Sequence, residues 1–147
     1  MTGTDEDLAQ LVERTGQAAA AFMAGDMDRF AALMPHTDDY TLMAPYGGAP
    51  RRGFDGSHEA LAALARWFQS GEARLEVVQT YASGDLAVVV GIERQRGVVG
   101  GLPEQDWSLR ITLVFRREES EWRLAHRHAD ALVHEIDMEQ LAALARG

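Results

Sequence analysis

The chain has 147 residues and no cysteine, and its 23 Asp and Glu residues outnumber its 14 Lys and Arg residues, which gives a net charge of -9. This length suits a single domain with a core of its own, and the acidic balance argues against nucleic acid as a partner. The lack of cysteine excludes disulfides, thiolate catalysis and cysteine-ligated zinc.

The first residues, MTGTDEDLAQ, are acidic, whereas a signal peptide would be basic and then apolar. No apolar run approaches the ~20 residues that a membrane-spanning helix requires. We therefore expect a cytoplasmic protein that does not contact a membrane.

A long helix is predicted near the N-terminus. Thr4 and Asp7 have the spacing of a capping box. From Leu8 to Met23, apolar residues recur every three or four positions and give one buried face, and Gly25 marks the helix end.

Two shorter helices are predicted to follow. The first is capped by Asp26 and ends near Pro35. The second begins at Asp55 or Ser57 and ends at Gly71. Its predicted buried face consists of Leu61, Leu64, Ala65 and Phe68.

From residue 74 the sequence has the pattern of β-strands. Extended runs at about 74–83, 85–96, 106–118 and 121–133 are separated by two short turns and one glycine-rich loop. Such consecutive strands predict an antiparallel meander. A last helix at about 137–146 begins with Asp137 and Gln140 at capping-box spacing. Helices followed by such a sheet indicate an α+β domain in which the helices cover one sheet face.

Three stretches carry a resemblance to a known family: AGDMDRFAALM, then DDYTLMAPYGGAPRRG, then EWRLAHRHAD. In this order they make residues 5 to 133 similar to the nuclear transport factor 2-like superfamily, within it the SnoaL-like and ketosteroid isomerase-like branch. The resemblance implies one domain over residues 1–147 with a cystatin-like fold. In that fold a strongly curved antiparallel sheet wraps the helices into a cone with an apolar pocket at its open end. It also implies a homodimer through the sheet.

The resemblance further implies where catalytic groups would lie in a ketosteroid isomerase. Those enzymes carry an aspartate immediately before the proline of the second stretch, where this chain has Ala44 before Pro45. Their oxyanion-holding tyrosine in the first helix corresponds to about Ala18. An alanine neither accepts a proton nor donates a hydrogen bond, so we do not expect that mechanism here.

The last predicted strand offers the largest set of polar side chains. Regular alternation places on one face Trp122, Leu124, His126, His128 and Asp130. His126, His128 and Asp130 are candidate acid/base residues, and the histidine pair alternatively lies in a dimer interface. A His-x-His pair is also a metal half-site, but no spaced third ligand appears, so no metal is predicted. No other cofactor is predicted. If the histidines line the interface, Arg127 lines the pocket and favours an anionic or carbonyl-bearing ligand.

The other candidate ligand-binding residues are apolar or aromatic. They are Tyr40, Leu42, Ala44, Tyr46, Trp67 and Trp107. Tyr40, Leu42 and Ala44 alternate along one predicted strand and therefore share a face. Glu93 and Gln95 are expected at a solvated rim.

Asp38 and Asp39 are adjacent at the start of that strand. Their side chains therefore point to opposite faces and do not form a proton-sharing pair. We expect them to be a solvated strand start.

Two functions fit these observations. The first is binding of a small, partly apolar molecule in the cone, with cofactor-free proton transfer of the isomerase, cyclase or dehydratase type as its chemistry. In that case His126, His128 or Asp130 would be the base, and Arg127 or Tyr40 the hydrogen-bond donor. The second is a non-catalytic dimeric binding or assembly module that uses the outer sheet face. The sequence leaves open whether the protein is an enzyme.

Overall fold

The computed structural model describes residues 3–147, with side chains from residue 5 onward. That part of the chain contains the helices α1 Gly3–Met23, α2 Met27–Leu33, α3 His58–Ala65 and α4 Met138–Leu144. Its strands are β1 His36–Met43, β2 Arg51–Arg52, β3 Phe68–Ser83, β4 Leu86–Val99, β5 Gln105–Asp106, β6 Leu109–Glu118 and β7 Glu121–Asp130. None of the described helices combines the length and the apolar character that crossing a bilayer requires.

The strands form one curved sheet in the order β2, β1, β7, β6, β4, β3, with β5 paired to β4. The predicted antiparallel meander is confirmed, because β3, β4, β6 and β7 pair successively. The sheet is nevertheless mixed, since β1 pairs in parallel with β7. Parallel neighbours need a long connection, which local sequence signals do not reveal.

Helix α1 packs on one side of the sheet, which we call the concave face; the opposite side is the convex face. Leu11 and Ala18 of α1 belong to the same buried cluster as Val89, Leu113 and Phe115 of the sheet. Each large apolar side chain buried in this way contributes about 1.5–3 kcal/mol. Among the strands, α1 packs chiefly against β3 and β4, so the concave side of β1 and β7 is a candidate position for a site.

The predicted caps agree with the structure where side chains are described. Ser57 caps α3, and Asp137 with Gln140 forms the capping box of α4. The predicted cap at Thr4 lies outside the described side chains. Helix α3 is shorter than predicted, because Phe68 already begins β3. The apolar residues of α4 remain largely exposed: Met138, Leu141 and Leu144.

The end of α1 comes very close to the sheet at two glycines. A Cβ on Gly71 would overlap the Met23 carbonyl and would lie 3.1 Å from the Arg96 carbonyl oxygen. A Cβ on Gly97 would lie 2.7 Å from the Gly71 Cα. The prediction that Gly71 ends the third helix is wrong, because α3 ends at Ala65. Gly71 instead permits this close backbone contact.

Candidate functional site

A bulge in β7 determines which of its side chains reach the concave face. Leu124 pairs with Phe115, whereas His126 pairs with Val114, the preceding residue of β6. Ala125 is therefore an extra residue without a partner of its own. Beyond it the alternation of faces is reversed.

The reversal places Arg127 and Ala129 on the concave face. His126, His128 and Asp130 lie on the convex face. The interpretation that these three residues share a face with the buried residues before the bulge is therefore wrong, because it assumed regular alternation. Of the two alternatives left open for this strand, the structure gives the concave position to Arg127.

Arg127 forms a bidentate ion pair with Glu93 of β4. The guanidinium donates from Nη2 to Glu93 Oε1 at 2.6 Å and from Nη1 to Oε2 at 2.9 Å. Gln95 Nε2 donates to Glu93 Oε1 at 2.7 Å. The Glu93 side chain is 5% exposed and that of Arg127 24%. These three residues form what we call the polar array.

The expectation that Glu93 and Gln95 lie at a solvated rim is wrong. Both are buried, because β4 alternates regularly and they share the face of Ala87 and Val89. The sequence contained this signal, since all four residues occupy odd-numbered positions of one strand and therefore share a face. A charged residue on the buried face of a strand indicates a partner on a neighbouring strand, which here is Arg127.

The polar array holds one guanidinium and one carboxylate, so its charges balance, and Arg127 is its positively charged member. Burial disfavours the charged guanidinium, but the attraction of Glu93 outweighs burial and raises the pKa of Arg127. The oxygens of Glu93 accept three hydrogen bonds, whereas a guanidinium has five N–H donors. Arg127 is therefore the member of the array that suits an oxygen of a ligand.

Strand β1 places two more predicted residues beside the array. Leu42 is in register with Arg127, and Tyr40 is buried in the same core cluster. Burial raises the pKa of Tyr40, although the nearby charge of Arg127 opposes this. The phenol therefore keeps its proton at neutral pH. Ala44 follows the end of β1 and supplies no polar atom.

A cavity of about 410 Å³ opens at the start of β1, between α2 and the loop that carries Phe54. His36 and Phe54 are in its wall, and their rings stack with centroids 3.8 Å apart and an interplanar angle of 5°. His36 also meets the Tyr40 ring edge-on at 4.5 Å. His36 thus connects the cavity, through Tyr40, to the surroundings of Arg127.

His36 is a site residue that sequence reasoning missed. Burial lowers its pKa to about 4, with the Met34 carbonyl opposing the effect only in part. Its Nδ1 atom has no partner with hydrogen-bond geometry in the described chain. A neutral imidazole in a cavity wall can donate or accept a hydrogen bond to a ligand. No local signal marked it, because the ring of Phe54 comes from a distant loop.

We expect the free energy of unfolding to depend on pH because of the lowered pKa of His36. The unfolded histidine binds its proton near pH 6.5 and the folded one only near pH 4, so the unfolded chain binds more protons between these values. Stability therefore falls as the pH is lowered through this window, by about 3 kcal/mol from His36 alone. His36→Phe keeps a ring against Phe54 and should remove this contribution in urea unfolding followed from pH 7 to 4. Parallel curves for the variant and the wild type would contradict the prediction.

The side chains predicted as catalytic lie on the convex face, where they contact neighbouring side chains. His126 Nδ1 lies 2.7 Å from Thr41 Oγ1, and its ring is 6.4 Å from that of His128. Asp130 accepts hydrogen bonds from Arg110 at 3.0 and 3.2 Å. Burial would raise the pKa of Asp130, but the Arg110 hydrogen bonds lower it overall. Within residues 3–147, no group of three potential metal ligands lies together.

The remaining predicted aromatic residues contact groups other than the polar array. Tyr46 is 72% exposed, and the Arg51 guanidinium lies 5.6 Å from its ring centre. Trp67 is largely exposed and packs beside Gly100. The Trp107 indole donates to a β4 carbonyl at 3.0 Å. Of the predicted ligand-binding residues, the structure thus brings Tyr40, Leu42 and Arg127 together.

Residues 12–133 match the protein family described as the SnoaL-like domain. The chain belongs to this family. The match confirms the resemblance based on the three stretches of sequence. A search of curated proteins found no match to this SnoaL-like protein.

Solved structures support the same fold. A candidate dehydratase of the NTF2-like family from Streptomyces avermitilis is 22% identical with a TM-score of 0.69, over 89% of this chain and 99% of the other. An NTF2-like protein of unknown function from Pseudomonas putida is 23% identical with a TM-score of 0.65, over 95% and 92%. The association domain of C. elegans CaMKII is 12% identical with a TM-score of 0.60, over 86% and 95%. At these identities the likeness establishes the fold alone, and other neighbours carry the cystatin-like name.

Proposed function

We propose that this SnoaL-like protein binds a small, partly apolar molecule at the concave face, with an anionic or carbonyl oxygen of the ligand on Arg127. The observation that carries the proposal is the polar array, in which the buried Glu93 fixes a partly buried arginine beside the apolar core. A few fixed polar groups in a mostly apolar wall are the usual composition of a small-molecule site.

The array favours binding because its cation is already oriented. Glu93 holds two of the guanidinium nitrogens, so the Arg127 side chain loses little further freedom when a ligand arrives. Leu42 and the rings of Tyr40 and Phe54 supply apolar surface for the body of the ligand. The ligand class is therefore a compact apolar molecule with one carboxylate or carbonyl group.

The chemistry that we propose for such a ligand is cofactor-free proton transfer of the isomerase, cyclase or dehydratase type. Arg127 would stabilise negative charge that develops on a carbonyl oxygen, and the protonated Tyr40 would donate a hydrogen bond. His36 is neutral above pH about 4 and is therefore a nearby group able to accept a proton. Ala44 excludes the ketosteroid isomerase route. The neighbour named as a candidate dehydratase supports this class by analogy.

A crystallographic experiment tests the proposed position. Crystals of the purified protein would be examined for co-purified density and then soaked in 2-naphthoate, a compact aromatic carboxylate. We expect the carboxylate to lie against the Arg127 guanidinium and the rings to lie toward Phe54. Density confined to the convex face would overturn the proposal.

A second candidate function is assembly through the convex face. Val88 is flanked in register by Tyr81 and Val114, and Tyr81 and Leu86 are 59% and 45% exposed. We call Tyr81, Leu86, Val88, Val90 and Val114 the convex patch. Exposed apolar patches of this kind are typical of protein interfaces. We propose that two copies pair here, with His126 and His128 at the border; the neighbour named as an association domain supports this use of the fold.

We expect Val90→Glu to convert the dimer into a monomer in sedimentation velocity, because it would bury an unpaired carboxylate in each copy. Ala62→Glu adds the same charge to an exposed site on α3 and should leave the dimer intact. Replacing both His126 and His128 by Ala should weaken the dimer and leave 2-naphthoate binding unchanged. A monomeric wild type, or a dimeric Val90→Glu variant, would refute the assembly.

A further inference from the structure

A second cavity lies at the opposite end of β7, between α1 and the turn that joins β6 to β7. Its volume is about 300 Å³, and its wall includes Asp7, Arg14, Arg117, Ser120, Glu121 and Trp122. Trp122 precedes Arg127 by five residues on an extended strand, which separates the two side chains by on the order of 15 Å. This cavity is therefore distinct from the concave-face site.

Two residues of the cavity wall each carry a hydrogen-bond donor that has no acceptor within the described part of the chain. The donors are the indole Nε1 of Trp122 and the Nε of Arg14, and both atoms are buried. Trp122 as a whole is only 7% exposed. Buried donors are paired in the great majority of cases, so two orphaned donors in one cavity wall call for an acceptor from outside the described chain.

Most charges around the cavity are already paired. Arg117 contacts Asp7 and Asp85, each at 3.2 Å. Glu121 is paired with Arg123 at 3.0 Å. The carboxylates of the cavity wall are thus committed to arginines other than Arg14.

Arg14 is the cation that remains. Among the described side chains, no carboxylate lies within ion-pairing distance of it, and its recorded contact is a long hydrogen bond of 3.4 Å from Nη2 to the Trp122 carbonyl. A partly buried guanidinium without a counter-ion favours an anion. The cavity therefore combines an unpaired positive charge with an indole donor.

We propose that this cavity binds a small oxyanion, a carboxylate or a phosphate, through Arg14 and the indole N–H of Trp122. An oxyanion supplies acceptors for both donors and neutralises the guanidinium. A neutral carbonyl would leave the charge unpaired. The proposal is independent of the function proposed for the concave face.

The indole resonance of Trp122 tests the proposal directly. The protein has three tryptophans, and labelling them with ¹⁵N gives indole N–H signals of which Trp122→Phe identifies one. Sodium phosphate and sodium acetate would be titrated separately, with sodium chloride at equal ionic strength as the reference. We expect a saturable downfield shift of the Trp122 signal and none at Trp67 or Trp107. The anion that saturates the shift at the lower concentration, phosphate or acetate, is the class that the cavity prefers.

A pair of variants completes the test. Arg14→Gln should weaken binding of the saturating anion about tenfold or more, because it removes a charge-assisted hydrogen bond. Arg29→Gln makes the same change at an exposed position of α2 and should leave binding unchanged. No saturable shift with either anion, or equal affinity in Arg14→Gln and the wild type, would overturn the proposal. The wild-type titration decides the question even if Arg14→Gln fails to fold.

Discussion

Replacing Arg127 by methionine should lower the free energy of unfolding by about 3 kcal/mol. The change leaves the Glu93 carboxylate, which is 5% exposed, without the guanidinium that compensates for its burial. Gln95 supplies one remaining hydrogen bond, which does not neutralise the charge. Methionine fills much of the arginine volume, so the lost stability reflects the unpaired Glu93 charge and not a new cavity. Urea unfolding at pH 7, followed by circular dichroism, measures it.

A double variant separates the destabilisation caused by an unpaired Glu93 from the net contribution of the Arg127–Glu93 ion pair to stability. Arg127→Met with Glu93→Met buries no charge and should regain most of the lost stability. Arg116→Met is the matched control on the convex face, where the ion pair with Asp39 is exposed, and it should have a much smaller effect. If the double variant were less stable than the single one, the buried pair would be a net stabiliser and the explanation would be wrong.

Replacing Gly71 by alanine should destabilise the fold by about 3 kcal/mol or more. The new Cβ would overlap the Met23 carbonyl and crowd the Arg96 carbonyl oxygen at 3.1 Å. Both obstacles are backbone atoms, so no side-chain rotation relieves the overlap. The end of α1 must move away from β3 and β4, which opens the core. Thermal and urea unfolding of the variant measure the loss.

Gly16→Ala is the control for this substitution. Its Cβ would meet the Leu75 Cβ at 3.7 Å, an ordinary contact, in the interior of α1. Alanine is the better helix former, so we expect a gain of about 0.5–1 kcal/mol. Equal losses at Gly16 and Gly71 would show that the close approach at the end of α1 is not the cause.

The parts of the fold that local physics determines were predictable from the sequence. The capping box at Asp137 and Gln140 needs only neighbouring residues, and it was predicted correctly. The meander was also predictable, because each strand pairs with one that is close in sequence. The spacing of the three family-like stretches then identified the family and its α+β fold.

The candidate site was less predictable, because its geometry depends on one inserted residue. Ala125 reverses the alternation of β7 and exchanges the positions of Arg127 and His126, and no local rule marks a bulge at an alanine. Burial lowers the pKa of His36, and that burial is a product of tertiary packing, which also stacks the ring on Phe54. The burial of Glu93, in contrast, could have been predicted, because regular alternation along β4 places it on the face of the core residues Ala87 and Val89.

Isothermal titration calorimetry with 2-naphthoate tests most directly whether the polar array forms a ligand site. The comparison is between the wild type and the Arg127→Met, Glu93→Met double variant, with Arg116→Met as the control. We predict binding to the wild type, an unchanged affinity in the control, and an affinity at least about tenfold lower in the double variant, because the ligand carboxylate loses its cation. Equal affinity in the wild type and the double variant would contradict the account.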